Sequence, residues 1–195
     1  MTNTKTGKLF IVSGPSQVGK DSIVRALWLD RNLKLTHVIT NTTRAKRSGE
    51  KQGITYNFLT EKKFTSLIKR GELLEWAKVR QAHFGTPKKP VLAALKKGRN
   101  VILQIDVQGA AQIKAQLPPT VLIFVTAENN QEIKRRIFVS SKMTLDQKKH
   151  RWLEAKQELK SIKKYDYKII NHWGQLKDAV QKVKEIILKH LKAKA

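Results

Sequence analysis

Seven residues, Gly14-Pro15-Ser16-Gln17-Val18-Gly19-Lys20, narrow the folds open to this chain more than any other stretch of it. Just before them, residues 8–13 are a short apolar, β-branched run that reads as a buried strand, stopped by Gly14-Pro15. Just after them, Ile23, Val24, Leu27 and Trp28 recur at helical spacing through residues 20–30. Strand, glycine loop and helix in that order form a phosphate cradle. The glycines let consecutive backbone N–H groups curl around an anion, the helix N-terminus adds its positive end, and Lys20 reaches the outer phosphates. The next position, where Ser or Thr ordinarily meets Mg2+, holds Asp21, followed by Ser22.

Further apolar runs at residues 37–40, 101–106, 121–125 and 167–171 are predicted strands, each separated from the next by enough chain for a helix. That alternation predicts an α/β fold of the P-loop NTPase type, a parallel sheet flanked by helices. Two segments interrupt it. Residues 41–88 mix Thr, Arg, Gly and scattered aromatics, which predicts a small mixed lobe inserted after the second strand. Residues 130–164 are polar and helical by pattern with a weaker stretch at 138–144, the pattern of a mobile flap. Near the C-terminus Leu176, Val180, Val183, Ile187 and Leu191 define one helix stripe, predicted to be core. No repeat or low-complexity linker divides the chain, so residues 1–195 are expected to form a single domain.

Composition removes several classes of function. The absence of cysteine excludes a disulfide scaffold, a cysteine zinc site, an iron–sulfur cluster and a thiol nucleophile. The apolar run at residues 9–12 is too short for a signal-peptide core or a membrane span, so a cytoplasmic protein with no membrane contact is expected. Forty Lys+Arg against fifteen Asp+Glu leave a net charge of +25, and the excess occurs along the whole chain rather than in one arm. Such a field favours anionic partners, nucleotides included, and leaves contact with nucleic acid or another polyanion open. No aromatic RNA-binding signature, GxxG context or zinc-knuckle spacing accompanies it.

Downstream of the loop come Thr40-Asn41-Thr42-Thr43-Arg44-Ala45-Lys46-Arg47-Ser48-Gly49-Glu50, Gly53-Ile54-Thr55-Tyr56-Asn57-Phe58, Gly71-Glu72-Leu73-Leu74-Glu75-Trp76-Ala77, Phe84-Gly85-Thr86-Pro87 and Ile105-Asp106-Val107-Gln108-Gly109-Ala110. With this ordered set the sequence resembles the guanylate kinases, which phosphorylate GMP from ATP. The resemblance implies a P-loop core at about residues 1–38, 89–129 and 161–195, a GMP-binding lobe at about 39–88, and a helical lid at about 130–160. ATP would lie on residues 14–22, that is Gly14, Pro15, Ser16, Gln17, Val18, Gly19, Lys20, Asp21 and Ser22, with Asn171 near the adenine. GMP would lie among Thr40, Arg44, Arg47, Tyr56, Glu75, Phe84, Gly85, Thr86 and Asp106. Two guanidinium forks suit phosphate oxygens, and a carboxylate facing the guanine N1–H and 2-amino group selects guanine over adenine. Lys20, Arg44, Arg136 and Arg151 would gather around the transferring phosphoryl group, with Mg2+ carried in by ATP near Asp21 or Ser22.

The chain departs from the family pattern in several places. Gln17 replaces a usual glycine, Asp21 the usual hydroxyl, Phe84 a tyrosine, with His83 the nearest substitute for its hydroxyl, and Gln104 an acid. Phe138 and Ser140 stand where the lid has further arginines. These changes leave open a guanylate-kinase-like interaction domain without turnover, or another small P-loop kinase. Plainer roles also stay open in the sequence: Arg47 paired with Glu50 at the surface, Tyr56 as core filler, and Glu75 on a solvated helix.

Overall fold

The computed structural model describes residues 6–141 and 143–192. In chain order its elements are β1 (Leu9–Ser13), α1 (Lys20–Leu29), β2 (Leu35–His37), β3 (Asn41–Thr42), β4 (Asn57–Phe58), α2 (Glu61–Lys69), β5 (Leu73–Val79), β6 (Ala82–Pro87), α3 (Lys88–Lys96), β7 (Asn100–Gln104), α4 (Val107–Gln116), β8 (Val121–Thr126), α5 (Asn130–Phe138), α6 (Leu145–Leu159), β9 (Tyr167–Ile170) and α7 (Leu176–Lys192). They fall into two units. One takes residues 10–35, 102–107 and those from 121 onward; the other takes residues up to 9, 36–101 and 108–120.

The first unit is built on a five-stranded sheet of order β2-β7-β1-β8-β9. β1 pairs parallel with β8, Phe10 opposite Val121, and β8 pairs parallel with β9. Every residue of β1 and β8 is buried, the continuous apolar pattern that a parallel strand covered on both faces requires. Phe10, Val12, Ile23, Leu27, Ile123, Val125, Ile169, Val183 and Ile187 share one core. α1 and α7 pack together here, and Lys184 Nζ donates to Asp30 Oδ2 at 2.6 Å.

Two boundaries differ from the sequence expectation. The second strand is Leu35–His37 rather than residues 37–40, because a 3-10 turn at Arg31–Leu33 ends in a left-handed Lys34 (φ 48°) and pairing begins with the next residue. The α7 stripe is shifted as well. Its buried line is Ala179, Val183 and Ile187, whereas Val180 and Leu191 are only partly buried and Leu176 is exposed. A small Ala at the centre of the buried face carries little weight in a hydrophobic pattern, so the larger flanking residues displaced the predicted stripe.

The second unit holds the mixed lobe, a four-stranded sheet of order β4-β3-β6-β5. β3 pairs parallel with β4 and antiparallel with β6, and β5 pairs antiparallel with β6. A bulge between Leu73 and Glu75 brings Glu75 directly opposite Thr86. In the first unit α5 and α6 lie within the polar segment 130–164 that the sequence predicts to be mostly helical. Helix α5 ends at Phe138, and Thr144 opens α6 with a capping box in which Gln147 is the reciprocal partner.

Candidate functional site

The loop after β1 is shaped by its glycines. Gly14 has φ 134°, and a Cβ there would lie 2.0 Å from the Val125 carbonyl oxygen. Gly19, left-handed at φ 87°, caps α1, and its carbonyl takes the first helical hydrogen bond from Ile23 N–H at 3.0 Å. Gln17 also lies in the left-handed region at φ 67°, where a side chain is strained. Lys20 folds back so that its ammonium donates to the Pro15 carbonyl. Burial pushes that ammonium below its ordinary value, Glu158 and Asp21 oppose the shift, and Arg151 adds to it. Asp21, in the first turn of α1, accepts from the Gln104 side-chain amide, so two departures 83 positions apart in sequence form one pair.

Helices α5 and α6 bring further charge to this unit. Arg151 on α6 donates to Ser16 Oγ at 3.2 Å. Glu158, about two turns further along the same face of α6, has its carboxyl pushed up to about 7; burial is the main cause, Lys20 opposes it, Asp106 and Glu154 raise it, and Arg151 opposes it. Arg136 is buried, with Nε donating to Glu132 at 2.7 Å and Nη2 donating to Glu128 at 3.2 Å and to the Asn171 carbonyl at 2.9 Å. Hydrogen bonds from Arg135 and Arg136 hold Glu132 at about 2. The Asn171 amide supports the phosphate loop, donating from Nδ2 to the Val18 carbonyl at 2.8 Å. Ser22 is exposed on α1, and Asp106 lies just past β7, half-buried. Phe138 packs against the core and under the Lys134 ammonium rather than toward the loop.

In the second unit Glu75 sits on a strand, not on a solvated helix, and is 3% exposed. Thr86, fully buried, donates its hydroxyl to Glu75 Oε1 at 2.6 Å. The other carboxylate oxygen lies against α4, where a Cβ on Gly109 would fall 2.4 Å from Glu75 Oε2. A few residues away Arg44 lies over the Tyr56 ring, its Cζ 5.5 Å from the centroid, and Tyr56 meets Phe84 edge-on at 5.9 Å. Glu50 is held below the usual carboxylate range chiefly by Arg44, whose Nη2 donates to Oε1 at 2.6 Å. Its Oε2 accepts from the Arg47 backbone N–H at 2.8 Å, so the side-chain partner of Glu50 is Arg44 rather than Arg47. Arg47 is exposed. Thr40 lends its carbonyl to Asn57 N–H at 2.9 Å. Gly85 faces Phe64 and Leu73, the opposite side of β6 from Phe84. His83 shares that opposite side: its ring stacks on Phe64 at 5.4 Å and its Nδ1 meets Glu61 at 2.9 Å, turned away from Tyr56.

Sequence reasoning missed Gly109, Gln112, Gln116 and Glu158. An isolated glycine inside a helical stretch was the available signal for the first. Among the described residues no group of three or more His, Cys, Asp or Glu is arranged to hold a metal, and no helix is long and apolar enough to cross a membrane.

The family model "Guanylate kinase" matches residues 6–190 of this chain. The chain is 40% identical over 185 residues to a guanylate kinase of Malacoplasma penetrans, covering 94% of this chain and 93% of that protein. It is 39% identical over 183 residues to one of Clostridioides difficile, covering 94% and 88%. Among solved structures, a guanylate kinase from Anaplasma phagocytophilum superposes with a TM-score of 0.78 at 26% identity, covering 96% of this chain and 87% of that one.

Proposed function

Since this chain belongs to the guanylate kinase family, we propose that it transfers the γ-phosphoryl group of ATP to GMP, giving ADP and GDP, and that the residues described above divide between the two nucleotides. The single observation that most supports guanine as the acceptor base is the buried Glu75 carboxylate, braced by the Thr86 hydroxyl. An ionised carboxylate has about four lone-pair sites, enough to accept from more than one donor at once, the N1–H and 2-amino group of guanine among them. Adenine offers no such pair. The one hydroxyl proton of Thr86 goes to Glu75, so Thr86 serves the base through that carboxylate rather than by donating to O6 or N7. Arg44, Arg47 and Tyr56 hold the GMP phosphate, with Phe84 forming the wall behind Tyr56 and Thr40 beside them; Gly85, facing Phe64 and Leu73, keeps the alternation that sets Phe84 and Thr86 on the nucleotide side. The lobe at 39–88 carries this acceptor chemistry, and the helical segment at 130–160 serves as the lid.

ATP phosphates are wrapped by residues 14–19 and met by the Lys20 ammonium, which exchanges the Pro15 carbonyl for phosphate oxygen. Burial of that ammonium favours the exchange, since a partly desolvated cation gains more from an anion than from a neutral carbonyl. Arg151, already at the loop through Ser16, stabilises charge on the transferring group. Arg136 contributes to the same charge by giving up its Glu132 or Glu128 contact. Asn171 fixes the loop and borders the adenine. The residues present fit Mg2+ carried by ATP: Asp21 is a hard oxygen donor beside Lys20, and a cation bound mainly by phosphates needs only one or two protein carboxylates. When bound, that ion neutralises phosphate charge. Gln104 orients the Asp21 carboxylate for it without cancelling its charge, and Ser22 is the neighbouring hydroxyl.

Coupled measurement of ADP release with GMP, dGMP, AMP, CMP and UMP as acceptors tests this reading. Turnover restricted to the guanine nucleotides is the expected result. Equal turnover with AMP would remove Glu75 from base selection, and no turnover with any acceptor would leave nucleotide binding without the transfer.

A further inference from the structure

Glycine is a poorer helix former than alanine, and α4 carries one at position 109, in its first turn. Its missing side chain leaves room for another. A Cβ on Gly109 would lie 2.4 Å from Glu75 Oε2, 2.9 Å from Cδ and 3.3 Å from Cγ, so the end of the Glu75 side chain occupies the space a methyl group would take. Gln112 and Gln116 follow at i+3 and i+7 on the same face of the helix. The Gln112 side chain accepts from Trp76 N–H at 3.2 Å and donates to the Trp76 carbonyl at 2.9 Å, as a neighbouring strand would. Gln116 Nε2 donates to the Leu74 carbonyl at 2.8 Å. The residues on either side of Glu75 are therefore held by their main chain from α4, while Thr86 holds one carboxylate oxygen from β6.

We propose that α4 is the positioning element of the guanine pocket: Gly109 seats the Glu75 carboxylate, and Gln112 and Gln116 hold β5 where that carboxylate opposes Thr86. This rests on the reading of Glu75 as the guanine acceptor. None of the three touches the reacting phosphates; each acts through Glu75. The arrangement separates stability from selectivity. In Gly109→Ala the atoms in the way are the far end of a side chain and not backbone, so the carboxylate moves and the helix stays. Alanine is also the better helix former.

Calorimetric affinities for GMP and IMP, which lacks the 2-amino group, read the carboxylate directly, with ATP affinity and melting temperature as the accompanying measurements. G109A is expected to melt no lower than wild type, to bind ATP as wild type does, to lose GMP affinity roughly ten-fold or more, and to bring the GMP/IMP ratio toward one. A folded G109A that keeps the wild-type GMP/IMP ratio overturns the proposal. Should G109A fail to fold, the double variant Q112A/Q116A decides: reduced GMP/IMP discrimination supports the proposal and an unchanged ratio overturns it. Glu75→Gln separates the two levels. If E75Q itself leaves the ratio unchanged, the guanine reading of Glu75 is wrong; if E75Q abolishes the preference while both α4 variants keep it, only the positioning role falls.

Discussion

Phe84 and His83 are adjacent in sequence and face opposite ways on β6, which decides which can serve the acceptor phosphate. Phe84 meets Tyr56, beside Arg44. His83 is tied to Glu61 and stacked on Phe64. Phe84→Tyr is therefore expected to add a donor on the Tyr56 side, and a hydrogen bond to a charged group contributes about 1.5–3 kcal/mol, so KM for GMP falls roughly ten-fold or more with ATP unaffected. His83→Ala, by contrast, should lower the melting temperature and leave KM for GMP alone. Steady-state kinetics on the two variants check this, and a rise in KM for GMP in H83A would reverse the assignment of faces. The same alternation explains what a linear motif hides. Phe84-Gly85-Thr86 reads as one acceptor segment, yet Gly85 faces Phe64 and Leu73, while Thr86 reaches Glu75.

Elements whose signal is local were legible in the sequence. β1 and β8 are uninterrupted apolar runs, and the Gly14 to Lys20 loop has a spacing set by its own backbone. The Glu75 pocket was legible only as a set of residue types. Its geometry depends on a bulge in β5, on a helix from a later part of the chain and on a strand partner, and none of these leaves a periodic trace. Glu158 on α6 was invisible for a similar reason, since its character comes from what surrounds it once folded. With its carboxyl raised from 4.5 to about 7, the folded state holds this proton more tightly than the unfolded chain does. Stability from this group is therefore full below about pH 4.5 and declines as pH rises through about 7, by at most about 3 kcal/mol. Glu132, held at about 2, has the opposite sign in a lower window: its contribution is present above about 4.5 and is lost toward about 2. Denaturant unfolding of wild type and Glu158→Gln across pH 4–8 isolates the first effect. The gap in E158Q's favour should widen with pH, and a gap that stays constant would show that Glu158 ionises normally.

At the scale of the whole molecule, the charge of +25 and the outer edge of the four-stranded sheet act together. β5 is the last strand of that sheet, and an open edge is a template on which a second copy can add a strand. The amides of Gln112 and Gln116 occupy the Leu74 and Trp76 main-chain groups that such a copy would need, beside a Trp76 ring that is 40% exposed and attractive to an apolar partner. Two glutamines thus act as a surrogate strand, and mutual repulsion between strongly cationic copies is a second barrier that salt weakens. Light scattering of Q112A/Q116A should show little change at low ionic strength and concentration-dependent association at high ionic strength, with wild type indifferent to the same change. Equal behaviour of the two proteins in high salt would mean that the edge is protected by something other than its glutamines. Two glutamines on one helix would then set how concentrated this protein can become before its sheets join.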